Sequence, residues 1–118
     1  MTPNEPWPPR VGEPLPRGEK AYTAPEKLAW ILSAAGHGRE WARVLHIGGD
    51  DTQRFWEAIA QAVLDEPIFT VRDREPKGIA CGVDIELTIG KRSIKARTSW
   101  HYESPGDAPR LVTAYPKL

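Results

Sequence analysis

The chain has 118 residues, of which 40% are hydrophobic, and its 16 lysines and arginines balance 16 aspartates and glutamates. This length supports one small domain and argues against a multidomain enzyme. The single cysteine excludes an internal disulfide, no apolar run approaches the roughly 20 residues that span a bilayer, and no signal peptide opens the chain. We therefore expect a soluble protein compatible with the cytosol.

A proline-rich segment opens the chain. The first 18 residues hold six of the 12 prolines, which deny the backbone helical and ladder hydrogen bonds. We predict a linker or extended arm over residues 1–20 and a single domain over residues 21–118. Trp7, within the arm, is a candidate for docking on the domain.

Three helices are predicted after the arm. The first begins near Pro25 with Thr23 or Ala24 at its cap, and Thr23 and Glu26 have the spacing of a capping box. Its apolar stripe includes Trp30. The second spans residues 39–47, and the third follows an aspartate cap and runs to about Leu64.

Strands follow the helices. One is predicted over residues 68–74 and three more between Ile79 and Pro116, because apolar and polar residues alternate there between turn signals. The order of elements predicts an α+β domain, with about three N-terminal helices packed on one face of a four-stranded antiparallel sheet. In the last strand, strict alternation places Leu111, Thr113 and Tyr115 on one face.

The charges are unevenly distributed along the chain. Residues 91–118 contain six lysines and arginines against two carboxylates, a local balance of +4, whereas residues 40–66 have a balance of −4. One interpretation is a basic sheet with acidic helices on its other side. Ordinary solvated charges explain the pattern equally well.

The polar face of the third predicted strand is a row of hydrogen-bond donors. Metal-independent RNA cleavage needs an acid and a base for proton transfer and cations to hold the charge that builds on phosphorus. We predict that His101 acts as acid or base and that Lys95 and Arg97 bind the phosphate. Thr113 and Tyr115 are candidates to donate hydrogen bonds, although whether they share the face of Arg97 depends on a pairing register that the sequence does not reveal.

A second imidazole, His37, lies between glycines in a predicted loop and is a further catalytic candidate. The sequence contains no metal-ligand spacing and no phosphate-binding glycine loop. We therefore expect neither a metal nor a cofactor.

Three short motifs, KLAWIL at 27–32, GREWARVL at 38–45 and PRLVTAYP at 109–116, resemble a family of small bacterial domains. That family is similar to the C-terminal tRNA-cleaving domains of contact-dependent growth inhibition toxins, whose closing strands pair a tryptophan-bearing strand with one containing Leu-x-Thr. Trp100 and residues 111–113 are the counterparts here. The resemblance implies a fold of the barnase-like and EndoU-like ribonucleases.

The leading hypothesis is a metal-independent endoribonuclease of the bacterial toxin type, which cleaves tRNA in the cytoplasm and is neutralised by a cognate immunity or antitoxin protein. The chain would be delivered as part of a secreted toxin. One alternative is a catalytically inactive protein-binding module, because the family pattern has a lysine where Trp41 stands and the toxin pattern an arginine where Gly82 falls. An immunity-type partner with acidic helices is the third hypothesis.

Overall fold

The computed structural model describes residues 7–117. They form helices α1 (Pro25–Ile31), α2 (Gly38–Leu45) and α3 (Thr52–Ala62), then strands β1 (Ile68–Asp73), β2 (Ile79–Ile89), β3 (Arg92–Tyr102) and β4 (Arg110–Pro116). Short 3-10 turns at Gly18–Lys20 and Gly49–Asp51 precede α1 and α3. The predicted α+β class, with helices followed by an antiparallel sheet, is confirmed.

Helix α1 begins as predicted but differs in two details. Pro25 occupies its first turn and Ala24, one of the two predicted residues, is the N-cap. Ala24 makes no side-chain hydrogen bond, so the capping box expected from Thr23 does not form. Trp30 is 48% exposed and lies under the Lys27 ammonium, 5.9 Å from the ring centroid. Its assignment to the apolar stripe was therefore wrong.

Helices α2 and α3 bury residues spaced four apart, which share one helix face. Trp41 and Leu45 of α2 and Phe55 and Ile59 of α3 are all buried. The Trp41 and Phe55 rings meet edge to face at 4.9 Å, and the Trp41 indole N–H donates to the Ala114 carbonyl at 3.3 Å. Within residues 7–117, no helix has both the length and the apolar character needed to cross a membrane.

The sheet has the order β1-β2-β3-β4, with every neighbouring pair antiparallel. β2 and β3 pair without interruption from Ile79 opposite Tyr102 to Ile89 opposite Arg92. The two-residue turn between them contains Gly90 at φ 62°, the left-handed conformation that tight hairpins require.

One face of the sheet forms the core with the helices. The fully buried side chains on this face include Val83, Leu87 and Trp100. Among residues 7–117, Thr98 is the one buried residue that is neither hydrophobic nor a glycine or proline. Its hydroxyl donates to the Val83 carbonyl at 2.7 Å and accepts from the Trp100 indole N–H at 2.8 Å. Both partners satisfy it, so its burial carries no unpaired polar group.

Strand β4 departs from strict alternation. A register shift between β3 and β4 leaves Val112 as an extra residue, a β-bulge, between Leu111 and Thr113. Leu111 therefore faces the core opposite Trp100, whereas Thr113 and Tyr115 point to the other face. The prediction that all three share one face was wrong because a single inserted residue reverses the side of every later residue.

The described part of the proline-rich arm packs against the sheet. Its Gly12 N–H donates to the Ile68 carbonyl at 2.9 Å, and the Ile68 N–H donates to the Glu13 carbonyl at 2.9 Å, at the start of the edge strand β1. Trp7 meets Tyr102 edge to face at 5.3 Å, which confirms that it docks on the domain. These contacts cover part of a strand edge that would otherwise be free.

Candidate functional site

The face of the sheet opposite the helices is polar, and we name it the open face. Because the strands pair in register, its side chains form rows across the sheet. The rows are Arg72, Ala80, His101 and Arg110; then Thr70, Gly82, Ser99 and Thr113; then Asp84, Arg97 and Tyr115; then Glu86 and Lys95. The predicted candidates on β3 and β4 thus share one surface, as the phosphate-binding hypothesis requires.

A groove of about 550 Å³ runs over the first two rows and reaches Arg97. Its central positions on β2 and β3 are the small residues Ala80, Gly82 and Ser99, whereas Arg72 lies in the strand at its margin. The concavity therefore follows from side-chain size at the middle of the sheet.

Arg97 lines one end of the groove and contacts both Asp84 and Phe69. Its Nε donates to Asp84 Oδ1 at 2.9 Å and its Nη2 to Asp84 Oδ2 at 3.2 Å, a bidentate pair. The guanidinium carbon lies 4.3 Å from the centroid of the Phe69 ring. The hydrogen bond with Asp84 is the main cause that raises the pKa of Arg97, and a smaller contribution comes from Tyr115.

Asp84 also binds a second cation. Lys117 Nζ donates to Asp84 Oδ2 at 2.9 Å. The hydrogen bond from Arg97 is the largest cause that lowers the pKa of Asp84, and Lys117 adds to it against the opposing effect of burial. One carboxylate therefore holds a guanidinium and an ammonium side by side on the open face.

His37 reaches the same part of the open face from the turn before α2. It is the N-cap residue of α2, and its ring lies 5.4 Å from the ring of Tyr115, tilted by 36°. Its Nδ1 lies 3.4 Å from Glu40 Oε2. Tyr115 is the cross-strand neighbour of Arg97, so an imidazole, a phenol and a guanidinium follow one another across this end of the sheet.

His101 lies in the groove but is less available than the sequence suggested. Its Nε2 lies 2.6 Å from the Lys77 carbonyl, and since a carbonyl only accepts, Nε2 is the donor. Its Nδ1 is buried and has no hydrogen-bond partner among the described residues. One nitrogen is engaged and the other is shielded, so this ring is poorly placed to exchange a proton with a ligand.

The remaining two predicted residues lie on either side of Arg97. Thr113 lines the groove and pairs with Ser99. Lys95 lies outside the groove, opposite Glu86, where it borders a smaller hollow shared with Lys117. The structure therefore brings Thr113 and Arg97 into one groove and leaves Lys95 beside it.

Sequence reasoning did not select Asp84, Lys117 or Phe69. Alternation already placed Asp84 among the polar residues of β2, but only the pairing register shows that it lies directly opposite Arg97. Among residues 7–117, no group of three or more histidines, cysteines and carboxylates could hold a metal ion.

The fold and the open face describe a small α+β domain whose sheet presents clustered cations on one side. Residues 14–118 match the family described as a domain of unknown function (DUF6883), and the chain belongs to this family. We found no match among curated proteins or solved structures.

Proposed function

We propose that this protein is a metal-independent endoribonuclease of the bacterial toxin type that cleaves tRNA. The observation that carries the proposal is the grouping of Arg97, Tyr115 and His37 at one end of the open face, with Lys117 beside them. A cation pair, a phenol and an imidazole are the functional groups that phosphodiester cleavage needs when no metal takes part.

The reaction can be written with these groups in named roles. His37 accepts the proton of the ribose 2′-hydroxyl, the 2′-oxygen attacks phosphorus, and the bond from phosphorus to the 5′-oxygen breaks. Tyr115 gives its proton to the departing 5′-oxygen. Afterwards Tyr115 regains a proton from solvent and His37 releases one to solvent. Arg97 and Lys117 stabilise the negative charge on the phosphoryl oxygens. The products are a 2′,3′-cyclic phosphate and a 5′-hydroxyl.

This assignment moves proton transfer from His101 to His37. Two observations support the change. His101 Nε2 already donates to the Lys77 carbonyl. The His37 Nδ1 lies 3.4 Å from Glu40 Oε2, so Nε2 is the nitrogen left for a substrate. Lys95 and Thr113 become binding residues at the margins of the site.

The test is incubation of the purified protein with total tRNA in the presence of a metal chelator, with the termini of the products analysed. We expect fragments ending in cyclic phosphate, and we expect His37→Gln to lose about 100-fold or more of the rate, as general acid–base groups do. Tyr115→Phe should lower the rate as well. Arg43→Gln changes an exposed arginine on the helix side and is the matched control.

His101→Asn separates the two imidazoles. We expect it to retain most of the cleavage activity, because the ring contacts a backbone carbonyl and not the proposed reaction centre. Equal cleavage by wild type, His37→Gln and Tyr115→Phe would overturn the assignment. Absence of any cleavage at all would overturn the proposed activity.

A second candidate, a non-catalytic binding module, is favoured by one observation. Asp84 already neutralises part of the charge of Arg97 and Lys117, so an incoming phosphate must compete with a carboxylate. This candidate predicts that tRNA is left intact and that any tRNA binding is weak and insensitive to the Tyr115→Phe and His37→Gln substitutions.

The toxin setting is part of the proposal. A cognate immunity protein would block the reaction by covering the open face, and clustered cations there favour an acidic inhibitor surface. The site of action would be the cytoplasm, where tRNA is found, after delivery as part of a secreted toxin.

A further inference from the structure

We propose that the groove binds an unpaired stretch of RNA beside the scissile phosphate, with Phe69 stacking on a base and with Arg72 and Arg74 contacting phosphates. This inference rests on the proposed function, since it names the form of RNA that the same site accepts. None of these three residues was among the candidates that the sequence suggested.

The charge of the groove supports a polyanion. Arg72, Arg74 and Arg97 line it, and no aspartate or glutamate does. Arg72 and Arg74 are exposed, and neither forms an ion pair with another residue in the range 7–117. Unlike Arg97, these two guanidiniums need not give up a carboxylate to bind a phosphate.

The position of Phe69 is unusual for a large apolar residue. A register shift in β1 pairs Ile68 with Val83 and Thr70 with Gly82, so Phe69 is an extra residue that turns toward the groove. Its side chain is 37% exposed and contributes nothing to the helix-side core. The ring instead lies against Gly82, where an added Cβ would come within 2.8 Å of Phe69 Cε1.

An aromatic ring among arginines distinguishes unpaired nucleotides from a duplex. In double-stranded RNA the base faces are stacked inside the helix, so Phe69 would have no partner, whereas an unpaired strand exposes base faces and phosphates together. Along β3, the four residue steps from Arg97 to His101 span about 13 Å, enough for a short run of nucleotides beside the reacting phosphate.

The experiment uses a short fluorescein-labelled RNA carrying 2′-O-methyl groups, which lacks the attacking hydroxyl and therefore stays intact. Binding to the full chain is measured by anisotropy at several salt concentrations, for the single strand and for the same strand annealed to its complement. We expect the single strand to bind about tenfold or more tightly than the duplex.

Variants assign the contacts. Phe69→Leu should weaken single-strand binding by about fivefold or more without changing the salt dependence, and Phe69→Tyr, which keeps the ring, should bind as the wild type does. Arg72→Gln and Arg74→Gln should each reduce the slope of log affinity against log salt by about 0.7, the value for one lost phosphate contact on a single strand. Arg43→Gln should leave both quantities unchanged.

Equal affinity for the single strand and the duplex would overturn the inference. It would also be overturned if the Phe69→Leu variant and the Arg72→Gln, Arg74→Gln double variant both bound RNA as tightly as the wild type does. Displacement of the RNA by polyglutamate at equal charge concentration would also overturn it, because the surface would then recognise acidic chains in general. If tRNA is cleaved but these groove variants bind normally, only the inference fails. If the groove results hold but no cleavage occurs, the proposed enzyme fails instead.

Discussion

Asp84→Asn is the substitution that most directly tests how the cations of the open face are used. Asparagine keeps the shape of the side chain and removes its charge. Arg97 then loses its bidentate partner, with contacts of 2.9 and 3.2 Å, and Lys117 loses its contact of 2.9 Å. Both cations become free to bind phosphate, but Arg97 is no longer held in place.

The size of the effect follows from the charges on the open face. These are Arg72, Lys95, Arg97, Arg110 and Lys117 against Asp84 and Glu86, with the histidines neutral. The local balance rises from +3 to +4 on substitution. One unit charge at contact distance in a solvated setting is worth about 1 kcal/mol, so RNA should bind about fivefold more tightly.

Cleavage should change in the opposite direction. Displacing a positioned group by about 1 Å can cost about 100-fold in rate, so we expect kcat to fall by about that factor while KM falls. Steady-state kinetics on a labelled RNA substrate separate the two effects, and Lys117→Gln is the control that leaves the Asp84–Arg97 pair intact. Weaker RNA binding by Asp84→Asn would refute the reasoning, since the cations would then not be the phosphate ligands.

The same carboxylate predicts a pH dependence of stability. Its pKa is lowered in the folded state, so its ion pairs stabilise the fold above the unfolded pKa of about 3.9. That contribution is lost as the pH falls through the folded pKa. The free energies of unfolding of wild type and Asp84→Asn, measured by urea titration, should therefore differ at neutral pH and converge as the pH falls through the folded pKa of Asp84. A difference that does not change with pH would contradict the pairing.

Three further predictions test the packing around the site. A Cβ added at Gly82 would lie 2.5 Å from Thr70 Oγ1 and 2.8 Å from Phe69 Cε1, so Gly82→Ala should displace both side chains and weaken RNA binding. In a Thr70→Ala, Phe69→Ala background the same change should be neutral or should stabilise the fold by about 0.5–1 kcal/mol in chemical denaturation. Equal effects in the two backgrounds would argue against these contacts. Thr98→Val should leave the Trp100 indole N–H unpaired and lower the free energy of unfolding by about 1–3 kcal/mol. The same substitution in a Trp100→Phe background should lower it by less, which chemical denaturation can measure. Cys81, whose pKa burial raises to about 12, should resist iodoacetamide until the protein unfolds, and rapid labelling of the native protein would contradict its burial.

The sheet was predictable because its central strands are long and regular. Val83, Ile85, Leu87 and Ile89 alternate with polar residues without a break, and all four are buried. A glycine turn joins β2 to β3, so the neighbouring strand could be paired with it from local sequence alone. Periodicity over many residues outweighs the weak preferences of any single one.

The outer strands were not predictable in the same way. A bulge depends on which residues of two strands meet, and the sequence of one strand does not record that. Leu111 was therefore placed with Tyr115, although the two lie on opposite faces. The location of His37 was also hidden, because the packing of the α1–α2 turn against β4, and not local sequence, brings its ring to Tyr115.

These irregularities are what create the candidate site. Without the extra residue Val112, strict alternation from Leu111 would turn Thr113 and Tyr115 toward the helices, and Arg97 would have no phenol beside it. In β1 the corresponding shift places Thr70 opposite Gly82, and the Phe69 ring lies over the Arg97 guanidinium. The two bulges therefore decide which side chains the edge strands present on the open face.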